Sequence, residues 1–265
     1  MSLLESPAPS STRPEQTPAS AYLRLSVTDR CNLHCLYCRR DTDVLPRSQT
    51  LSYEETLDLI EALHDVIPLR KVRITGGDPL VRTDLTTLVA GMRSRLPHAE
   101  LCLTTNGVLL EHLAAPLRRA GIDRINISLD SADSAQFSEL TGGGSLDRVL
   151  AGIRAAHAAG FEGLKVNAVL LRSTNQNRLA HLVRTAHEHW CEVRFIELMP
   201  VGDAAALFER EYLAAESALD ELCRTFEHVN DCGMNGTARR HRFRDGGREF
   251  TIGFITSVSH PSAAP

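Results

Sequence analysis

The chain has 265 residues, a net charge of −4 and 43% hydrophobic residues, enough for one large core with or without an extension and too weakly charged for wholesale nucleic-acid binding. Seven cysteines are too sparse and odd in number for a disulfide framework, and no apolar run approaches the length of a bilayer span. The expected location is therefore the cytoplasm, with neither nucleic acid nor membrane as an expected partner.

Residues 1–20 hold four prolines and five serines without an apolar run and read as a flexible leader. A strand is predicted over Leu23 to Val27, and directly after it three cysteines fall within eight residues, Cys31, Cys35 and Cys38. Three thiolates at that spacing can hold three irons of a 4Fe–4S cluster and leave the fourth iron open for a ligand, which implies chemistry at that iron. A zinc site is the alternative, but it wants a fourth ligand, and His34 lies between two of the cysteines with too short a reach for the usual spacing.

A helix is predicted over Ser52 to Val66, opened by the capping-box pattern Ser52 to Glu55 and carrying Leu57, Ile60, Leu63 and Ile67 at helical spacing. Further strands follow at Lys71 to Thr75, Leu101 to Thr104, Arg124 to Leu129, Leu164 to Leu171 and Val193 to Leu198. Helices alternate with them at Thr83 to Leu96, Leu109 to Ala120, Ser145 to Ala159 and Gln176 to Trp190. Gly76-Gly77-Asp78-Pro79 closes the second strand, where glycines permit close backbone approach to a ligand. Six β-α units imply an α/β fold with a parallel sheet and helices outside. After Pro200 the pattern changes to one helix, about Ala214 to Phe226, and two strands, Ala238 to Arg244 and Glu249 to Ser257, joined at Asp245-Gly246-Gly247. The expected domains are thus 21–200 and a C-terminal extension, 201–265.

Strand side chains alternate between two faces. The apolar set, such as Val72, Ile74, Ile125, Ile127, Val166 and Ala168, belongs under helices. The other set, Arg24, Arg73 and Lys165 with Thr104, Asn126, Ser128 and Asn167, must line an interior. Cations sheltered together need a counter-charge, which points to a strongly anionic ligand such as a polyphosphate. The alternative for any one of them is an internal carboxylate such as Glu197. Cys102, Cys191, Cys223 and Cys232 are expected to be buried structural thiols, Cys223 in a helix and Cys232 in a loop.

The run from Cys31 to Cys38, with Tyr37 just before the last cysteine, resembles the signature of radical S-adenosylmethionine (SAM) enzymes. The segments Leu23 to Cys31, Val72 to Gly77, Leu103 to Gly107, Ile125 to Asp130, Lys165 to Asn167 and Arg194 to Met199 further resemble the GTP 3',8-cyclase family of molybdenum-cofactor biosynthesis, over about residues 21–260. The resemblance implies a partial, curved (βα)6 barrel of the TIM type. It implies that Cys31, Cys35 and Cys38 ligate a 4Fe–4S cluster, that Tyr37, Gly77, Ser128 and Met199 bind SAM, and that Arg24, Arg73, Thr104 and Lys165 bind GTP. The implied lyase reaction is removal of the ribose C3' hydrogen by a 5'-deoxyadenosyl radical, then ring closure on guanine C8 to 3',8-cyclo-7,8-dihydro-GTP; beyond the radical source itself no catalytic side chain is implied.

Implied partners are GTP, a flavodoxin-like or ferredoxin-like electron donor, and the downstream cyclic pyranopterin monophosphate synthase. The family has Glu where this chain has Asp78, and a Met-Pro pair where it has Arg39-Arg40. It also has a second 4Fe–4S cluster, whose cysteines follow the segment matching Ile255 to Ser259. Here His260 to Pro265 follow instead, so a chain truncated before the second cluster is expected. The other readings are a radical SAM enzyme for another anionic or nucleotide substrate, and a non-catalytic remnant that binds SAM or nucleotide.

Overall fold

Polar and apolar residues alternate along the strands with the period that lets one face of a sheet pack on helices while the other stays polar. The computed structural model of the protein describes residues 20–38 and 44–256. The expected leader up to residue 19, the Arg39-Arg40 departure and the segment from Ser257 onward lie outside the described residues.

Six strands, β1 (Ala21–Ser26), β2 (Leu69–Thr75), β3 (Glu100–Thr105), β4 (Arg124–Ser128), β5 (Lys165–Leu170) and β6 (Glu192–Glu197), pair in parallel, each with its neighbour in sequence. The crossovers carry α1 (Tyr53–Val66), α2 (Leu85–Arg95), α3 (Leu110–Ala120), α4 (Ser134–Leu140), α5 (Leu146–Ala158) and α6 (Leu179–Glu188). Sequential order with helices on one side is the arc of a partial barrel, and it stays open because, among the described residues, β1 pairs only with β2. The predicted capping box of α1 is present in both halves: the Glu55 amide donates to Ser52 Oγ at 3.1 Å, and the Ser52 amide to Glu55 Oε2 at 2.7 Å.

The core lies between the outer face of the sheet and the helices. Val72, Ile74, Leu101, Leu103, Ile127, Val166 and Phe195 are wholly enclosed there, together with Leu88, Leu110, Val149, Ile153 and Leu182 from the helices.

Past β6 come α7 (Phe208–Glu211), α8 (Ala215–Thr225) and three more strands, β7 (Glu227–Asn235), β8 (Ala238–Asp245) and β9 (Arg248–Ile255). They continue the same sheet: β9 runs parallel to β6, β8 antiparallel to β9 and β7 antiparallel to β8. The β8–β9 turn is the expected one, with Asp245 paired to Arg248 and Gly246 and Gly247 at φ of 55° and 82°, the left-handed conformation that a two-residue hairpin requires.

Several sequence expectations are corrected. The predicted loop around Cys232 is strand β7, an edge strand with two register shifts, mostly exposed and polar, so it lacks the alternation that marks a half-buried strand. Cys223 is exposed and Cys232 only half-buried; neither is an enclosed thiol, whereas Cys102 and Cys191 are. The short helices α4 and α7 were not predicted; both are below the length at which periodicity is readable. The helix expected from Gln176 begins only at Leu179, preceded by turns after Leu170.

Candidate functional site

The parallel strands deliver their C-terminal ends to one rim, and the cysteine loop crosses it. Three contacts hold that loop. On one side, the Gly77 amide donates to Thr28 O and the Asp78 amide to Arg30 O, both at 2.8 Å. A Cβ on Gly76 would lie 2.2 Å from Thr28 O and one on Gly77 2.3 Å from Arg30 O, so this close approach admits only glycine. The tightest neighbour of the glycine pair is therefore the backbone leading into Cys31. On the other side, the His34 amide donates to Thr141 O and the Leu36 amide to Leu140 O, at 2.9 and 3.0 Å. The third contact is Tyr37, whose hydroxyl donates to Asp130 Oδ2 at 2.5 Å, while Asp130 Oδ1 accepts from the Val169 amide at 2.7 Å.

Asp78 and Asp130 are both enclosed and serve as internal braces. Asp78 accepts from the Leu80 amide, the Thr105 hydroxyl and the Asn106 amide, at 2.9, 2.7 and 2.6 Å. Asn106 in turn donates its side-chain amide to Asn32 Oδ1 at 2.8 Å and approaches Cys31 Sγ at 3.6 Å. Burial raises the Asp78 carboxyl against those three donors. Burial likewise pushes Asp130 up to about 6, with the Tyr37 and Val169 hydrogen bonds opposing it. Asp78 is thus more than a turn residue, and its shorter side chain reaches the end of β3.

The three cysteines carry no disulfide. Burial raises the Cys31 and Cys35 thiols; for Cys35 the Asp130 carboxylate and then the other two thiols add to it. Cys31 and Cys35, half-buried near the Asp78 and Asp130 carboxylates, are poor thiolates by themselves and good ones around a cationic iron cluster, where each sulfur, with that of the exposed Cys38, takes its own iron. The donor set therefore fits a 4Fe–4S cluster. Among the described residues, no three His, Cys, Asp or Glu side chains converge on a single-ion site.

Beneath the rim the inner face is polar. Arg24, Arg73 and Cys102 sit in one register row, and Thr104, Asn126 and Lys165 in the next. The Arg73 guanidinium donates from Nε to the Tyr22 hydroxyl at 2.7 Å and from Nη1 to Thr104 Oγ1 at 3.3 Å. None of Arg24, Arg73 and Lys165 forms an ion pair among the described residues. Glu197, the carboxylate considered for them, accepts from the Tyr212 hydroxyl and the Ala215 amide. Burial and then Arg194 lower the Lys165 ammonium.

Ser128 ends β4 on the inner face, Gly77 follows β2, and Met199 follows β6 with 46% of its surface exposed. The predicted set is thereby distributed over the ends and inner faces of β1 to β6. Sequence reasoning missed Lys71, which pairs with Glu100 at 2.6 Å, and Arg194, which is only 9% exposed. Sorting Glu192 to Glu197 by the alternation used for the other strands would have placed Arg194 inside.

Comparison with known proteins agrees with this geometry. The Radical SAM superfamily profile matches residues 25–186. The GTP 3',8-cyclase of Rhodopirellula baltica is 42% identical over 245 residues, spanning 90% of this chain and 68% of that protein. Those of Pseudomonas entomophila and Limosilactobacillus fermentum are 41% and 40% identical, each match spanning 90% of this chain and 72% of the relative. Among solved structures, coproporphyrinogen III oxidase from Escherichia coli, a radical SAM enzyme, superposes with a TM-score of 0.56 at 13% identity, over 78% of this chain and 51% of that one. Methylornithine synthase gives a TM-score of 0.53 at 16% identity, over 67% and 53%. These two share the fold.

Proposed function

The chain belongs to the GTP 3',8-cyclase family of the radical SAM superfamily, and we propose that it converts GTP to 3',8-cyclo-7,8-dihydro-GTP for molybdenum-cofactor biosynthesis. The observation that carries this reading is the set of cations Arg24, Arg73 and Lys165, without ion-pair partners among the described residues, beneath a braced three-cysteine loop. In the proposal, Cys31, Cys35 and Cys38 hold the 4Fe–4S cluster and Tyr37, Gly77, Ser128 and Met199 border SAM. When bound, these groups supply a 5'-deoxyadenosyl radical.

The protein's own residues then have to bind, orient and enclose GTP. Arg73 is pre-oriented by Tyr22 and Thr104, so its fork reaches the triphosphate with little further ordering. Lys165, on β5, adds a cation from the opposite side of the inner face, with Arg194 one strand over. Holding the triphosphate at two sides fixes the ribose against the rim. An electron donor of the flavodoxin or ferredoxin kind and a downstream cyclic pyranopterin monophosphate synthase belong to the same proposal. Among the described residues no helix is long and apolar enough to cross a membrane.

The test is an anaerobic assay of the reconstituted chain with SAM, dithionite and GTP. Both 5'-deoxyadenosine and cyclised GTP are expected. Deoxyadenosine without cyclised GTP would overturn the cyclase reading and leave a radical SAM enzyme for another anionic substrate.

A further inference from the structure

The inner face does not stop at β6. Arg194 on β6 and Arg240 on β8 are both register partners of Gly253 on β9, so the three residues form one row across the junction between barrel and C-terminal hairpin. Gly253 leaves room there: a Cβ would come within 3.1 Å of Arg194 Cγ and 3.3 Å of Ala238 Cβ, close enough that the Arg194 side chain would have to shift by a few tenths of an ångström. The Arg194 side chain therefore lies across the glycine toward the hairpin.

Glu192, on the same face of β6, joins the two arginines. Its Oε1 accepts from Arg194 Nε at 3.0 Å and its Oε2 accepts from Arg240 Nη2 at 3.3 Å. Lys165 is its register partner on β5 but forms no ion pair with it among the described residues, so the carboxylate is shared by the two arginines. Among the described residues, Arg194 Nη2, Arg240 Nε and Asn167 Oδ1 are buried without a hydrogen-bond partner, and two of these three atoms are donors. Enclosed guanidinium donors left unpaired are costly unless an acceptor arrives.

We propose that Arg240 is a positioning residue for polyphosphate binding: by sharing Glu192 it keeps Arg194 a net cation and leaves the Arg194 Nη2 donor unpaired. If Glu192 served Arg194 alone, the two would form a neutral pair. Shared with Arg240, it steers Arg194 without cancelling it. The C-terminal hairpin thus contributes to the substrate site through a residue that the barrel itself lacks. The inference rests on the reading of the lumen as a triphosphate site.

The experiment measures dissociation constants of GTP and of guanosine for the reconstituted full chain by equilibrium dialysis, in wild type, Arg240→Gln, Arg240→Lys and Gly253→Ala. Wild type is expected to prefer GTP over guanosine. Arg240→Gln is expected to weaken GTP by about tenfold, the scale of one charge-assisted hydrogen bond, and to leave guanosine unaffected. Arg240→Lys restores part of the loss, and Gly253→Ala lowers GTP affinity with every charge retained. Should Arg240→Gln fail to fold, these last two variants carry the test. Unchanged GTP affinity in the variants, or equal weakening of GTP and guanosine, overturns the assignment of Arg240. A wild type without preference for GTP overturns the triphosphate reading, and this inference falls with it.

Discussion

The two faces of one sheet divide the work of this molecule. On the outer face, Val72, Leu103, Ile127, Val166 and Phe195 are fully enclosed against helices. One residue away along the same strands, Arg73, Thr104, Ser128, Lys165 and Arg194 face an interior rich in cations and short of carboxylates. Burial of apolar area stabilises the first set. The second set gains little until an anion neutralises it, and until then burial works against it, as the lowered Lys165 ammonium indicates. Neighbouring positions along a strand can therefore differ completely in what a substitution removes.

The sharpest way to break this division is on the outer face. Phe195→Ala would empty a site that is 0% exposed and lose the ring contact with Phe254, at 5.8 Å between centroids. The expected loss is about 3–5 kcal/mol of unfolding free energy in a denaturant titration. A loss under about 1 kcal/mol would mean that the β6–β9 junction is not part of the cooperative core.

Arg73→Met tests the inner face. It removes hydrogen bonds to Tyr22 and Thr104 from a half-buried position, so stability should change by less than about 1 kcal/mol. GTP affinity should fall about ten- to a hundredfold, because a charge-assisted contact is lost. Calorimetric titration with GTP alongside thermal unfolding separates the two effects; the reverse pattern would erase the distinction between the faces.

The smallest effect is expected at the helix-facing side of the hairpin. His241 is 8% exposed, packs on Phe254 and approaches His228 with ring nitrogens 3.2 Å apart. Burial, and more weakly the neighbouring His228 and Arg239, lower its pKa, against an opposing pull from Asp231. A histidine whose pKa is depressed on folding binds its proton more readily in the unfolded chain, so stability falls as the pH drops through the unfolded value of about 6.5. His241→Phe should flatten that loss between about pH 7 and 5. An unchanged slope in unfolding measurements at the two pH values would place the sensitivity elsewhere.

Much of the site was legible because its signals are local. The spacing of Cys31, Cys35 and Cys38, the glycine pair after β2 and the period-two alternation of the strands all act over a few residues. The capping box at Ser52 was legible for the same reason. Strand β7 was not: it is a polar edge strand with two register shifts, and nothing in its composition distinguishes it from a loop. Nor were the internal roles of Asp78 and Asp130, which depend on donors 27 and 39 residues further along the chain.

The sequence by itself determined the succession of strands and helices, the residues offered to each face, and the chemistry of the cysteine loop, since side-chain alternation and thiolate spacing are properties of the local chain. Tertiary structure decided which offers meet. Pairing of β9 with β6 put Gly253 beside Arg194, and the antiparallel return of β8 brought Arg240 to Glu192, 48 residues away. Strand register is set by how whole faces bury against the helices. For that reason the charge balance of the lumen is a property of the folded sheet.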